Sequence, residues 1–281
     1  MNAPSVSSPH RHELSVSVVV YRPDPLQLER TLTSLGAACA RLRAVVPAAA
    51  IELCLVDNGG LGECAAMLGA LEADGVETRL LAGHGNVGYG RGHNLAIESA
   101  SSRFHLVLNP DIDLDADALA IALDFFAAHP DVGLISPRIG DADGNRQYLC
   151  RRFPTVLDLF VRGFLPRSLR GLFERRLARY EMRDQINDRD VVWEPAIVSG
   201  CFMLFRTGVL RQLGGFDPRY FLYFEDYDLS LRTHDVARVA YVPAARVLHF
   251  GGGAGRKGWA HIRMFCRSAF QFFNRFGWRL M

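Results

Sequence analysis

No stretch of this chain approaches the roughly 18 to 20 uninterrupted apolar residues that a membrane-spanning helix requires, so it is not expected to cross a bilayer by itself. Lysine is nearly missing, with Lys257 standing alone beside 31 arginines. The six cysteines, at 39, 54, 64, 150, 201 and 266, form no C-x-x-C pair and follow no secretory leader. That spacing supports neither a disulfide framework nor a zinc site, and a reducing cytoplasm is the expected compartment. The P-loop does not occur, and internal repeats and low-complexity tracts are absent too. No known nucleic-acid-binding module accompanies the arginine excess, so nucleic acid is not an expected partner.

What is present suits one large domain: 281 residues with 49% hydrophobic content can bury a sizeable core. The net charge of +2 hides an uneven distribution. Residues 151–183 hold nine Arg against Asp158, Glu174 and Glu181, and residues 256–281 hold five Arg and Lys257 with no acid, a net +6 in each. The remainder is therefore acidic, and its carboxylates are available for a site elsewhere.

Residues 1–13 are polar and read as a flexible leader. The β-branched, apolar run from Ser15 to Tyr21 reads as a central parallel strand covered on both faces. Pro23-Asp24-Pro25 then opens a helix with Leu28, Leu32, Leu35 and Cys39 at helical spacing. Strands are expected at 51–56, 77–81, 104–108 and 132–135, alternating with helices around 61–73, 93–100 and 116–128, with a glycine-rich stretch over 83–92. Beyond it come a basic insertion of helical character at 151–190, a strand-like run at 198–205, a helix at 223–233, and short strands at 239–242 and 246–249. The alternation argues for a single α/β domain on a mixed sheet, with ligands beyond the carboxyl ends of its parallel strands.

Three acidic positions fall where such a sheet presents ligand-binding groups: Asp57, Asp111, and the pair Glu225-Asp226 beyond an aromatic stretch. Any one of them alone suits an ordinary turn or cap. The segment from Asn86 to Asn94 places three alternating glycines beside Arg91 before a helix. Backbone N–H groups there suit a phosphate, and a plain tight loop suits the pattern equally.

Taken in order, Val18-Val19-Val20-Tyr21, Leu55-Val56-Asp57-Asn58, Asn86-Val87-Gly88-Tyr89-Gly90 with Asn94, Leu108-Asn109-Pro110-Asp111, Ser199-Gly200, the block from Tyr223 to Arg232, and Leu248-His249-Phe250-Gly251-Gly252 resemble family-2 glycosyltransferases of GT-A fold. The likeness is nearest to rhamnosyltransferase-like bacterial enzymes of surface polysaccharide synthesis, and it covers roughly residues 14–275. It implies one GT-A domain over 14–255, with a nucleotide-sugar half up to 110, an acceptor half over 111–255, and a basic amphipathic helix over 256–281.

The resemblance also implies roles. Tyr21 contacts the base and Asp57 accepts from its imide N–H, which favours a UDP or dTDP donor, while Asn86, Gly90, Arg91, Asn94 and Asn109 belong to the nucleotide-sugar side. Asp111 stands at the second acidic position of the family's Asp-x-Asp motif and Asn109 replaces the first. Asp111 and His249 would hold Mg2+ or Mn2+, oxygen-preferring cations, although a histidine ending a strand is also simply a buried residue. Asp226 becomes the general base, with Glu225 and Gly200 on the acceptor side, and Asp228 caps the helix or pairs with Arg232 at i,i+4 spacing. Base and leaving group on opposite faces imply inversion.

The C-terminal segment sets Ile262, Phe265, Ala269, Phe272, Phe273, Phe276 and Leu280 on one face, opposite Arg263, Arg267 and Arg275. It suits either an anionic membrane surface or a helix packed on the domain with a solvated basic side. With the basic insertion it leads to the expectation of a peripheral enzyme on the inner face of the cytoplasmic membrane, acting on a saccharide or lipid-linked saccharide. Two rivals stand beside this reading: a catalytically impaired GT-A-like binding protein, with Asn109 as its mark, and a nucleotidyltransferase.

Overall fold

A computed structural model describes residues 11–251 and 258–281. Its strands are β1 (His12–Val20), β2 (Ile51–Asp57), β3 (Glu77–Leu81), β4 (Ser102–Leu108), β5 (Ile112–Leu114), β6 (Val132–Gly140), β7 (Val192–Trp193), β8 (Phe202–Arg206) and β9 (Arg238–His249). Its helices are α1 (Pro25–Val45), α2 (Ala65–Ala73), α3 (Tyr89–Ile97), α4 (Ala118–Ala128), α5 (Val156–Phe164), α6 (Arg167–Arg170), α7 (Glu174–Tyr180), α8 (Thr207–Gln212), α9 (Glu225–Thr233) and α10 (Trp259–Phe276), with a 3₁₀ turn at Gly171–Phe173.

All nine strands join one sheet in the order β3-β2-β1-β4-β8-β6-β9-β5, with β7 also on β9. The first four are parallel, β8 runs antiparallel between β4 and β6, and β9 is parallel to β6. β1 is interior, as its apolar run predicts. Leu14, Val16, Val18 and Val20 pack with α1 and α4, whereas Ser15 and Ser17 face the other way and are buried as well. The two hydroxyls are satisfied by His105 at 2.7 and 2.9 Å, and Ser17 also by His93 at 2.7 Å. Burial depresses both imidazoles, His105 to about 3, so they stay neutral.

Helix α1 starts where the sequence places it, because the Asp24 carboxylate accepts from the Leu26 N–H at 3.0 Å and Pro25 fills the first turn. Several boundaries differ. Of the expected leader, residues 1–10 lie outside the described residues, while His12 and Glu13 already belong to β1. Helix α3 begins at Tyr89, inside the glycine-rich stretch, because Gly90 and Gly92 are close-packing positions: a Cβ there would lie 2.8 Å from Phe216 and from Val19, respectively. The two short strands near the end are one, β9, continuous through a register irregularity between Val242 and Arg246. β5, β7 and α8 escape the sequence reading, the first two being only three and two residues long.

Of the two readings of the C-terminal segment, the structure takes the packed one. Phe272 and Phe273 of α10 are buried in a cluster with Leu159, Tyr180, Tyr220 and Phe224, with Phe265, Ala269 and Phe276 packed against it. Leu280 falls beyond the helix and is exposed. Arg275 turns inward and bonds Asp217 at 2.6 Å and Asp228 at 2.8 Å.

Candidate functional site

Because β1, β2 and β4 are parallel, Tyr21, Asp57 and residues 109–111 emerge at one edge of the sheet. β8 starts at that same edge, Phe202 lying opposite Leu108, and the Asn109 N–H donates to the Cys201 carbonyl at 2.9 Å. β9 ends there too, with His249 paired to Ile112 and the Phe250 N–H donating to the Asp111 carbonyl at 2.9 Å. Residues far apart in sequence thus share one rim.

At the β1–β2 end, Tyr21 is half exposed and its ring lies over Gly59, where a Cβ would stand 3.6 Å from it. The Asp57 carboxylate accepts from the Gly59 N–H at 2.7 Å, which fixes the turn beneath the ring. Asn58 is buried and donates to the Gly88 carbonyl at 3.0 Å, and the Asn86 side chain accepts from the Gly88 N–H at 3.0 Å. Gly88 has φ +91, and any side chain there would collide with the Phe221 carbonyl, so this position requires glycine. Asn94 exchanges two hydrogen bonds with the Phe216 backbone (2.8 and 2.9 Å), and Arg91, exposed, donates to the Pro218 carbonyl at 2.6 Å. Both side chains tie α3 to the segment that leads into the acidic block.

In the middle of the rim, His249 Nε2 lies 3.5 Å from Asp111 Oδ2. Asp111 Oδ1 is buried with no hydrogen-bond partner among the described residues. A side chain at Gly251 would collide with both His249 Nε2 and Asp111 Oδ2, so its absence keeps the space between them open. One carboxylate and one imidazole fit a divalent cation that draws its other ligands from a diphosphate. No group of three or more His, Cys, Asp or Glu suited to a metal occurs among the described residues.

The acidic block forms the first turn of α9. The two residues before it, Tyr223 and Phe224, both take left-handed backbone (φ 73 and 67), a strained arrangement costing about 1–3 kcal/mol per residue. Phe224 is held there by Phe265, Phe272 and Tyr227. Asp226 accepts from the Gly200 N–H at 2.9 Å and from its neighbour Tyr227 N–H at 3.0 Å. Tyr89 donates to the Gly200 carbonyl at 2.6 Å and so grips the same peptide segment from the other end. Burial pushes both acids up, and burial followed by the charge of Asp226 takes Glu225 to about 8. Glu225 Oε2 has no partner, whereas the two backbone donors on Asp226 oppose the effect of burial there and favour its charged form. Asp228 is fully buried between Arg232, at the expected i,i+4 spacing (2.5 Å), and Arg275. It fastens the helix.

The arrangement offers two neighbouring buried acids, one of them held by backbone donors, a carboxylate–imidazole pair suited to a cation, and an aromatic platform with a carboxylate at its base. A family model described as "Glycosyltransferase like family 2" matches residues 10–269. The chain belongs to that family. This glycosyltransferase is 30% identical over 276 residues to the N-acetylglucosaminyl-diphospho-decaprenol L-rhamnosyltransferase of Mycobacterium tuberculosis, covering 92% of this chain and 83% of that one. It is 26% identical over 201 residues to the rhamnosyltransferase WbbL of Escherichia coli K12, covering 68% and 72%. Among solved structures, GalNAc-T7 with UDP, GalNAc and Mn2+ superposes with a TM-score of 0.63 at 15% identity, covering 95% of this chain and 48% of that one. The glycosyltransferase has the GT-A fold, as the resemblance implies.

Two residues of this glycosyltransferase escape the sequence reading of the site. Tyr89 reaches Gly200 across 111 positions, and Gln147 reaches His249 across 102, where its side-chain amide contacts both the ring and the carbonyl. No local signal marks either pairing.

Proposed function

We propose that this glycosyltransferase moves rhamnose from dTDP-rhamnose, or a related sugar from a UDP-type donor, to a lipid-linked saccharide, with inversion at the anomeric carbon. Support comes from the rhamnosyl transfer named for both relatives and the diphospho-decaprenol acceptor named for one of them. The single observation that carries the reading is that the Gly200-Cys201 segment joins the two acidic positions: Asp226 accepts from the Gly200 N–H at 2.9 Å, and the Asn109 N–H, two residues before the Asp111–His249 pair, donates to the Cys201 carbonyl at 2.9 Å.

In this reading Tyr21 lies against the pyrimidine and Asp57 accepts from its imide N–H. Asp111 and His249 would hold Mg2+ or Mn2+, and such a cation would supply charge to counter that growing on the departing diphosphate. Asn109 contributes no charge, so the protein supplies one carboxylate where the family pattern has two. Asp226 removes the acceptor hydroxyl proton as that oxygen attacks the anomeric carbon, from the face opposite the leaving nucleotide. Glu225, still protonated, is a hydrogen-bond donor beside the acceptor. A peripheral position on an anionic bilayer suits a lipid-linked acceptor, and the exposed Phe160, Phe164, Leu169 and Leu172 of the arginine-rich segment are the apolar contribution to it.

The test is transfer from dTDP-rhamnose to an N-acetylglucosaminyl-diphospho-prenol by the wild type and by Asp226→Asn. The variant should lose about 10² to 10⁴-fold in turnover while dTDP binding changes little. Near-normal turnover would remove Asp226 from the chemistry, and a wild type that releases no dTDP with any such donor would remove the proposal.

A further inference from the structure

Gln147 is the residue to which the geometry points as the group that prepares His249 for a cation. Its side-chain Nε2 donates to the backbone carbonyl of His249 at 2.9 Å, and its Oε1 lies 3.2 Å from the ring Nδ1. A carbonyl only accepts, so the amide must turn its NH2 towards that carbonyl and its oxygen towards the ring. Facing an oxygen that only accepts, Nδ1 must carry the ring proton. In the neutral ring Nε2 is then a bare lone pair, and it faces Asp111 Oδ2, another acceptor, at 3.5 Å. Two acceptors aimed at each other, with Asp111 Oδ1 buried and unpartnered and Gly251 leaving the space clear, describe a seat for a cation.

We infer that Gln147 is a positioning residue: it locks the Nδ1–H tautomer of His249 and so presents Nε2 as a metal ligand. The inference rests on the proposed cation site, and it concerns a side chain that bonds His249 through both the ring and the backbone carbonyl. Outer partners of this kind typically change metal affinity by about 10 to 100-fold.

The experiment has two readouts on the full chain. In the first, the ¹⁵N shifts of the His249 ring are recorded without metal. The wild type should show Nδ1 protonated, and Gln147→Met, which fills the space without an acceptor, should show a tautomer mixture. In the second, Mn2+ is titrated with dTDP at saturation and free Mn2+ is read by electron paramagnetic resonance. Gln147→Met should bind Mn2+ about 10 to 100-fold more weakly. Gln147→Glu keeps the acceptor for Nδ1–H but gives up the donor to the His249 carbonyl, so it should lose less Mn2+ affinity than Gln147→Met and keep the Nδ1–H tautomer, and that tautomer decides the matter if the Met form folds poorly. An Nε2-protonated wild type, Mn2+ binding unchanged in Gln147→Met, or a loss as large in Gln147→Glu would each overturn the inference. His249→Ala and Asp111→Ala separate the levels: if both bind Mn2+ like the wild type, the cation site itself is wrong, whereas if both fail and Gln147→Met does not, only the role of Gln147 is.

Discussion

Glu225 lies beside the carboxylate proposed as the base, and burial drives it towards the neutral acid. Burial and then the charge of Asp226 raise it to about 8 in the folded chain, against an ordinary value of 4.5. A carboxyl group raised on folding adds stability below its unfolded value and loses that contribution as pH rises through the folded one, here between about 4.5 and 8. Gln at this position keeps the neutral shape without the titration. Glu225→Gln should therefore show a flatter dependence of melting temperature on pH over this window, the wild type falling relative to it as pH rises. Parallel curves would mean that Glu225 is already ionised at pH 5.

The carboxylates themselves are legible in the sequence, since each ends a strand or opens a helix. What cannot be read from it is their protonation, which depends on neighbours that only folding supplies. Tyr89 and Gln147 are illegible for the same reason. Their partners lie 111 and 102 positions away, and although Tyr89 stands in the motif from Asn86 to Gly90, nothing local says that its phenol reaches Gly200.

Among the elements, amphipathic helices show best how far a pattern carries. The apolar stripe of α10 is plain in the sequence, but nothing in it says whether protein or lipid covers the stripe. The partners that decide the matter, Leu159, Tyr180, Tyr220 and Phe224, come from three other segments. Similarly, the glycines at 90 and 92 resemble a loop signal because only the packed fold reveals Phe216 and Val19 beside them.

With its apolar face inside, α10 presents Arg263 and Arg267 to solvent, while the exposed aromatic pair Phe160 and Phe164 on α5 stacks at 6.1 Å and touches α10 through Phe265. Membrane attachment is therefore argued for α5 and the turn after it, with the α10 arginines as electrostatic support at about 1 kcal/mol per cation near an anionic leaflet. Co-sedimentation with vesicles of rising anionic lipid content should retain the intact chain at low salt and release it as salt screens the attraction. Phe160→Ser with Phe164→Ser should bind more weakly, and Arg263→Glu with Arg267→Glu weaker still in anionic vesicles. Arg275 is left alone because it neutralises the buried Asp228. Indifference of the intact chain to anionic vesicles, or binding by both double variants equal to that of the intact chain, would mean that the acceptor is met away from a bilayer.

For the whole molecule, the order in which strands join the sheet differs from their order in the chain, and this bears on its making. The parallel block β1 to β4 is complete in sequence by Leu108, yet the free edge of β4, with Leu106, Val107 and Leu108 all buried in the finished protein, waits for β8 at Phe202. At ~5–20 residues per second, a ribosome needs about 5 to 20 s to supply it. During that interval the nascent chain exposes an apolar strand edge able to pair with other copies. Chains stopped just before Phe202 should sediment as aggregates from a translation reaction, and chains extended past Arg206 should do so much less. Equal solubility of the two lengths would mean that another segment shields β4 in the meantime. The length of that exposure is thus set by one insertion in strand order, and it falls on the stretch of chain that, once complete, forms the rim proposed for sugar transfer.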